Sequence, residues 1–171
     1  MSTYADLVAW FTGRIPGDWY VGPVTVFHDR DEILVIGELA EPDLAPALGE
    51  ARSMACSGRI DRHREDTRDE RVEISRDAVA QFGRTISWGA RCGRVEKVFT
   101  NLSSPVMTRL RMRERQVLDT LVDAGVARSR SDALGWCVRL VAMHEASWLD
   151  DLRQALVQVE ELRATGPHVP V

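Results

Sequence analysis

The stretch Met107–Val141, MTRLRMRERQVLDTLVDAGVARSRSDALGWCVRLV, limits what this chain can become more than any other. Its first residues alternate like a strand over about Val106–Met112. Met107, Arg109 and Arg111 lie on one face, and Thr108, Leu110 and Met112 on the other. A helical period follows from about Glu114 to Ala124, with Val117, Leu118, Leu121 and Val122 apolar. Gly125 suits a left-handed turn, and Ser129 and Ser131 are both N-cap candidates for a second helix. That helix carries Leu134, Cys137, Val138 and Val141 on one face, with Trp136, Leu140 and Met143 also apolar. A helix apolar on most sides is buried on most sides. A lone strand leaves its backbone donors and acceptors unpaired. So short a segment satisfies both needs only against another subunit or the rest of the chain.

If the strand's partner is the same strand of a second copy, the pair forms a ribbon with four arginines on one face. Such a ribbon fits the major groove of DNA. The charge distribution points the same way. Residues 1–100 carry 13 basic and 17 acidic side chains, residues 101–144 carry 7 against 4, and residues 145–171 carry 2 against 5. In a chain of net charge −4, the strand–helix–helix segment is the one basic island.

The order strand, helix, glycine turn, then SRSDAL opening an apolar helix resembles the ribbon-helix-helix family, which includes the MetJ and Arc type repressors and many antitoxins. The resemblance covers residues 106–144, most specifically Ala124–Val141, AGVARSRSDALGWCVRLV. It implies an intertwined homodimer bound to double-stranded DNA, a transcription regulator such as a repressor. Met107, Arg109 and Arg111 would face the bases. Thr108, Leu110 and Met112 would join Leu134, Val138 and Val141 in the dimer core. Ser129, Arg130 and Ser131 would lie at a helix start that meets a phosphate. Arginine suits the first role because it bonds guanine O6 and N7 as a fork. A helix start suits the last because it offers free N–H groups and partial positive charge. One departure stands out: Gln116 occupies the place of the family's first apolar helix residue, and Val117 follows it. A one-residue bulge accommodates this, as does a slipped register. A slip would turn Arg109 and Arg111 inward, which is expensive for unpaired charges.

The fold class expected is α+β: an N-terminal domain (1–104) of two β-hairpins with helices, a ribbon-helix-helix unit (105–145), and a C-terminal helix and tail (146–171). Residues 3–13 read as a helix with Leu7, Val8 and Phe11 on its apolar face and Gly13 at its C-cap. Trp19–Phe27 and Glu32–Leu39 read as one hairpin, Thr85–Trp88 and Val95–Thr100 as another around a Gly89–Gly93 turn, the two sharing one antiparallel sheet. Between them, a helix from Pro42 shows Leu44, Leu48, Ala51, Ala55 and Arg59 on one face, with Ala47 and Met54 beside it. The charged run 59–71 reads as a solvated helix or loop, and Val72–Gly83 as an amphipathic helix burying Ile74, Ala78, Val79 and Phe82. Ser103-Ser104-Pro105 marks the domain boundary. Ala146–Ala164 reads as a helix carrying Trp148, Leu152, Ala155, Val159 and Leu162, ended by Gly166-Pro167.

Three cysteines, odd in number and widely spaced, fit a reduced, cytoplasmic protein. No apolar run reaches the roughly 18 residues of a membrane span, and no signal peptide is indicated. No nucleophile elbow, P-loop, zincin or CxxC motif is present, so neither catalysis nor a cofactor is expected. His28, Asp29 and Asp31 fit a metal site less well than a polar turn. Trp10, Trp19 and Trp88 fit core positions better than a ligand pocket. An unknown effector or protein partner for the N-terminal domain stays open. Three other readings of the C-terminal segment also stay open: a helix-turn-helix with RERQVLDTLVDAG as its first helix, a plain helical hairpin with solvated arginines, and an antitoxin-like module that masks a partner enzyme.

Overall fold

The computed structural model describes residues 3–43 and 49–165. The expected face positions Leu44, Ala47 and Leu48, and the stop at Gly166-Pro167, lie outside them. The chain divides into two units between Pro105 and Val106. The described elements are mixed α and β: a four-stranded sheet and six helices.

In the first unit, helix α1 (Tyr4–Arg14) starts in a capping box: Thr3 Oγ1 accepts from the Asp6 N–H, and the Asp6 carboxylate accepts from the Thr3 N–H. It ends at Ile15, not at Gly13, which lies inside the helix. Strands β1 (Thr25–His28) and β2 (Glu32–Glu38) pair as an antiparallel hairpin. Asp29 Oδ1 makes their turn by accepting from the N–H groups of Asp31 and Glu32 at 2.8 and 2.7 Å. Those bonds hold the Asp29 carboxyl below the usual carboxylate range. β1 is shorter than the expected Trp19–Phe27 strand, because residues 19–24 run irregularly past Gly22-Pro23.

Helices α2 (Gly49–Asp66) and α3 (Arg68–Phe82) follow, broken at Thr67, and α3 stops at Gly83 with φ 66°. Strands β3 (Thr85–Cys92) and β4 (Val95–Val98) form the second hairpin, turning at Gly93 rather than over Gly89–Gly93. The sheet order is β1-β2-β3-β4, but β2 and β3 run parallel, so the sheet is mixed and not antiparallel throughout. Two parallel neighbours need a long crossover, and α2 and α3 supply it.

One sheet face carries Ile33 and Val35 of β2 and Ile86, Trp88, Ala90 and Cys92 of β3. Leu7 and Phe11 of α1, Cys56 and Ile60 of α2, and Ile74 and Ala78 of α3 bury against it. An exposed Arg14–Asp77 ion pair at 2.7 Å ties α1 to α3.

The second unit holds α4 (Met112–Asp123), α5 (Arg130–His144) and α6 (Ala146–Ala164). Residues 101–111 form no strand within the chain, and α4 begins at Met112, two residues before the expected start. The Glu114 carboxylate accepts from the Arg111 N–H at 2.5 Å, which caps that earlier turn. Met112 therefore heads a helix and is not a strand residue. Gly125 takes φ 73° just beyond α4. No helix among the described residues is long and apolar enough to cross a membrane.

Candidate functional site

The second unit is built around a small cluster: Leu118, Ala127 and Ala133 are buried, with Leu110, Leu121, Leu134 and Cys137 packed against them. Leu110 thus faces inward while Arg109 and Arg111, on either side of it, are exposed. The alternation expected from the sequence survives at these three positions. Arg111 is extended, with φ −78° and ψ 170°. Neither guanidinium has an ion pair among the described residues. Gln116 is exposed, and Leu118 is the first buried residue of α4.

Of the other residues assigned to a dimer core, Thr108, Met112, Val138 and Val141 are exposed in the single chain. Met107 is exposed as well. Val138 stands 63% exposed, an unusual state for a valine in the middle of a helix. On α6, Trp148, Leu152, Val159 and Leu162 are all exposed. With Ala155 they recur at intervals of four and three residues, the spacing of a coiled-coil seam.

At the start of α5, Ser129 is the N-cap, and its Oγ accepts from the Asp132 N–H at 3.2 Å. Ser131 lies inside the first turn, exposed. Arg130 forks onto Asp119 of α4 at 2.6 and 2.7 Å, which raises the pKa of the arginine and lowers that of the aspartate. Asp132 adds a carboxylate at the helix start and accepts from the Arg128 N–H at 3.0 Å. Ser129 and Asp132 therefore already satisfy groups that a phosphate would contact.

The first unit holds a feature that no sequence motif announces. β3 is eight residues long and β4 four, and β4 pairs only with Gly89–Cys92. Beside the uncovered half of β3, a cleft of about 1140 Å³ opens against α3. Its apolar walls are Val72, Val79, Ala80, Ile86, Trp88 and Phe99, and its cations are Arg64, Arg68, Arg71 and Arg76. The Trp88 Nε1–H donates to Ser75 Oγ at 2.8 Å. Trp10 and Trp19 lie outside the cleft, in edge contacts with Phe11 and Phe82 and with Tyr20 and His63.

Arg71 is the unexpected residue, only 8% exposed inside a run that reads as solvated. Its Nε–H donates to Thr67 Oγ1 at 3.0 Å and its Nη2–H to the Arg64 carbonyl at 2.5 Å. The guanidinium sits over the Phe99 ring, 4.8 Å from the centroid. Burial pulls its pKa down.

No group of acidic, histidine and cysteine side chains among the described residues is placed to hold a metal ion. All three cysteines are free, and burial pushes the Cys92 thiol up to about 12.

Residues 5–98 match the Rv1265-like protein N-terminal domain, and residues 111–163 match the Mb1296 C-terminal domain. The chain is 53% identical over 161 residues to the uncharacterized protein Mb1296 of Mycobacterium bovis, and equally so to the uncharacterized proteins MT1303 and Rv1265 of Mycobacterium tuberculosis. Each alignment covers 94% of this chain and 70% of the relative. No solved structure matches it. With one domain family spanning more than half its length and relatives of this identity, the chain belongs to the Rv1265-like family.

Proposed function

We propose that this protein is a sequence-specific DNA-binding transcription regulator. Residues 107–111 of two copies pair as an antiparallel ribbon that enters the major groove. One observation carries the reading: Arg109 and Arg111 are exposed and make no ion pair among the described residues, on a segment that joins no strand of its own chain and turns Leu110 inward. The Leu110 carbonyl already accepts from Arg115 and the Arg111 N–H donates to Glu114, so pairing with a second copy would serve chiefly the backbone of residues 107–109. It would also cover Val138 and Val141, and the α6 stripe offers the same second copy a seam. Met107 and the two arginines would read bases. Ser131 and the first N–H groups of α5 would position a phosphate, with Ser129 acting as the cap. Arg130 would contribute to phosphate binding only by exchanging Asp119, so its share in salt dependence is smaller than its charge suggests. The closed core of the first unit favours a regulator over an antitoxin-like masking module, whose partner-binding part would be extended.

The test is selection of bound duplexes from a random library, then titration of the selected site with variants. Arg109→Ala and Arg111→Ala should each cost about 1–3 kcal/mol and relax preference at defined base pairs. Ser131→Ala should weaken binding evenly across sequences. Folded arginine variants that bind the selected duplex like wild type would exclude the ribbon as the reading element.

A further inference from the structure

The cleft beside β3 poses a problem of its own, independent of DNA. A buried guanidinium without a counter-charge is costly, and Arg71 has no carboxylate partner among the described residues. The nearby acids do not supply one: Asp61 is held by Lys97 at 2.8 Å, and Glu65 is exposed and makes no ion pair among the described residues. Stacking on Phe99 and two hydrogen bonds orient the group but leave its charge unneutralised. Arginine has five N–H donors. With Nε–H and one Nη2–H used, the two Nη1 donors and the second Nη2 donor remain, the edge of the fork that matches a carboxylate. Arg71 lines the cleft together with the apolar side chains of Val72, Val79, Ile86, Trp88 and Phe99, and a volume of about 1140 Å³ is enough to hold a small molecule.

We propose that this cleft binds a small amphipathic organic carboxylate, its head forked on Arg71 and its apolar body against Trp88, Ile86 and Val79. The exposed Arg64, Arg68 and Arg76 raise the local concentration of anions without fixing their pose. A phosphomonoester, with a dianionic head and three acceptor oxygens, would leave oxygens unpaired at a single buried fork.

The test is calorimetric titration of the full chain with decanoate below its micelle concentration, beside acetate, decanol and decyl phosphate. Decanoate should bind saturably at one site per chain, with the other three weaker by at least about tenfold, since head and body act together. Arg71→Met replaces the cation with a side chain of similar length and should weaken decanoate by at least about tenfold while decanol stays unchanged. Ala80→Trp fills the cleft from an exposed helix position without touching Arg71, and should abolish decanoate binding with the fold intact by circular dichroism. If Arg71→Met does not fold, Ala80→Trp decides between the outcomes alone. Absence of decanoate binding, tighter binding of decyl phosphate, or wild-type decanoate binding by a folded Ala80→Trp chain would each overturn the proposal.

Discussion

The two units spend their apolar residues differently. In residues 3–105 a core closes, with Leu7, Phe11, Ile33, Val35, Ile60 and Ile74 buried between three helices and a sheet, while Phe27, Met54, Val72 and Val79 stay exposed. Among the described residues of 106–165 only Leu118, Ala127 and Ala133 are buried, while α5 and α6 hold valines, leucines and a tryptophan out to solvent. The first unit has a core of its own, and the second has a fraction of one. Helices stay folded mainly through packing of their apolar faces. The second unit therefore leaves apolar faces of α5 and α6 uncovered by its own residues, and the function proposed above assigns those faces to a second copy.

The contrast makes substitutions in the two units behave differently. Phe11→Ala should cost about 3–5 kcal/mol, and this loss should not vary with protein concentration in thermal melts of the first unit. Val138→Asp should do the reverse. On a lone chain it is a surface change worth less than about 0.5 kcal/mol. In a dimer it buries a carboxylate and costs about 2–4 kcal/mol of association, seen as a shift of the dissociation midpoint on dilution. Equal small effects at both positions would erase the distinction.

Gly37→Ala probes the packing of the first unit more finely. A Cβ there would lie 2.2 Å from the Tyr20 ring, so the ring has to move, at about 1–3 kcal/mol by denaturant titration. His63 extends the test to pH. It touches the Tyr20 hydroxyl at 3.3 Å, and burial first, then the Arg71 charge, lowers its pKa from 6.5 to about 4. The unfolded chain then takes up a proton that the folded one refuses. Stability is complete above pH 6.5 and falls as pH drops from there towards 4, by about 1–2 kcal/mol after discounting for the part of the ring that water reaches. A His63→Phe chain should lose that slope; an unchanged slope would place its origin elsewhere. The smallest effect belongs to the second unit: Ser129→Ala removes the α5 cap, at about 1 kcal/mol of helix stability.

How much of this is legible in the sequence depends on whether a residue's neighbours repeat its signal. Leu7 and Phe11 recur at helical spacing, so α1 and its buried face can be read directly. The extents of α5 and α6 follow from a serine cap and a long apolar period. The parallel pairing of β2 and β3 is hidden, because a short apolar strand looks the same in either direction. Gly89 misleads as a turn residue. It lies inside β3, where the Lys97 carbonyl comes within 3.0 Å of where a Cβ would be. Arg71 is masked by the charges around it. Yet Cys56, Ile60, Thr67, Arg71, Ile74 and Ala78 are all buried, spaced by three, four or seven residues from α2 through the break at Thr67 into α3, so Arg71 continues a buried stripe. Exposure of Val138 and of the α6 stripe is not a failure of the periodicity. Their period is helical and amphipathic, and the second unit's own cluster around Leu118, Ala127 and Ala133 does not cover them.

Sedimentation velocity of the full chain at low micromolar concentration, wild type beside Val138→Asp, bears on this most directly. A second unit completed by another copy predicts wild type at twice the mass of the chain, and Val138→Asp at the mass of one chain with its first unit still folded by tryptophan near-ultraviolet dichroism. A wild-type chain that sediments as a monomer, with the amides of α5 protected from hydrogen exchange, would contradict it.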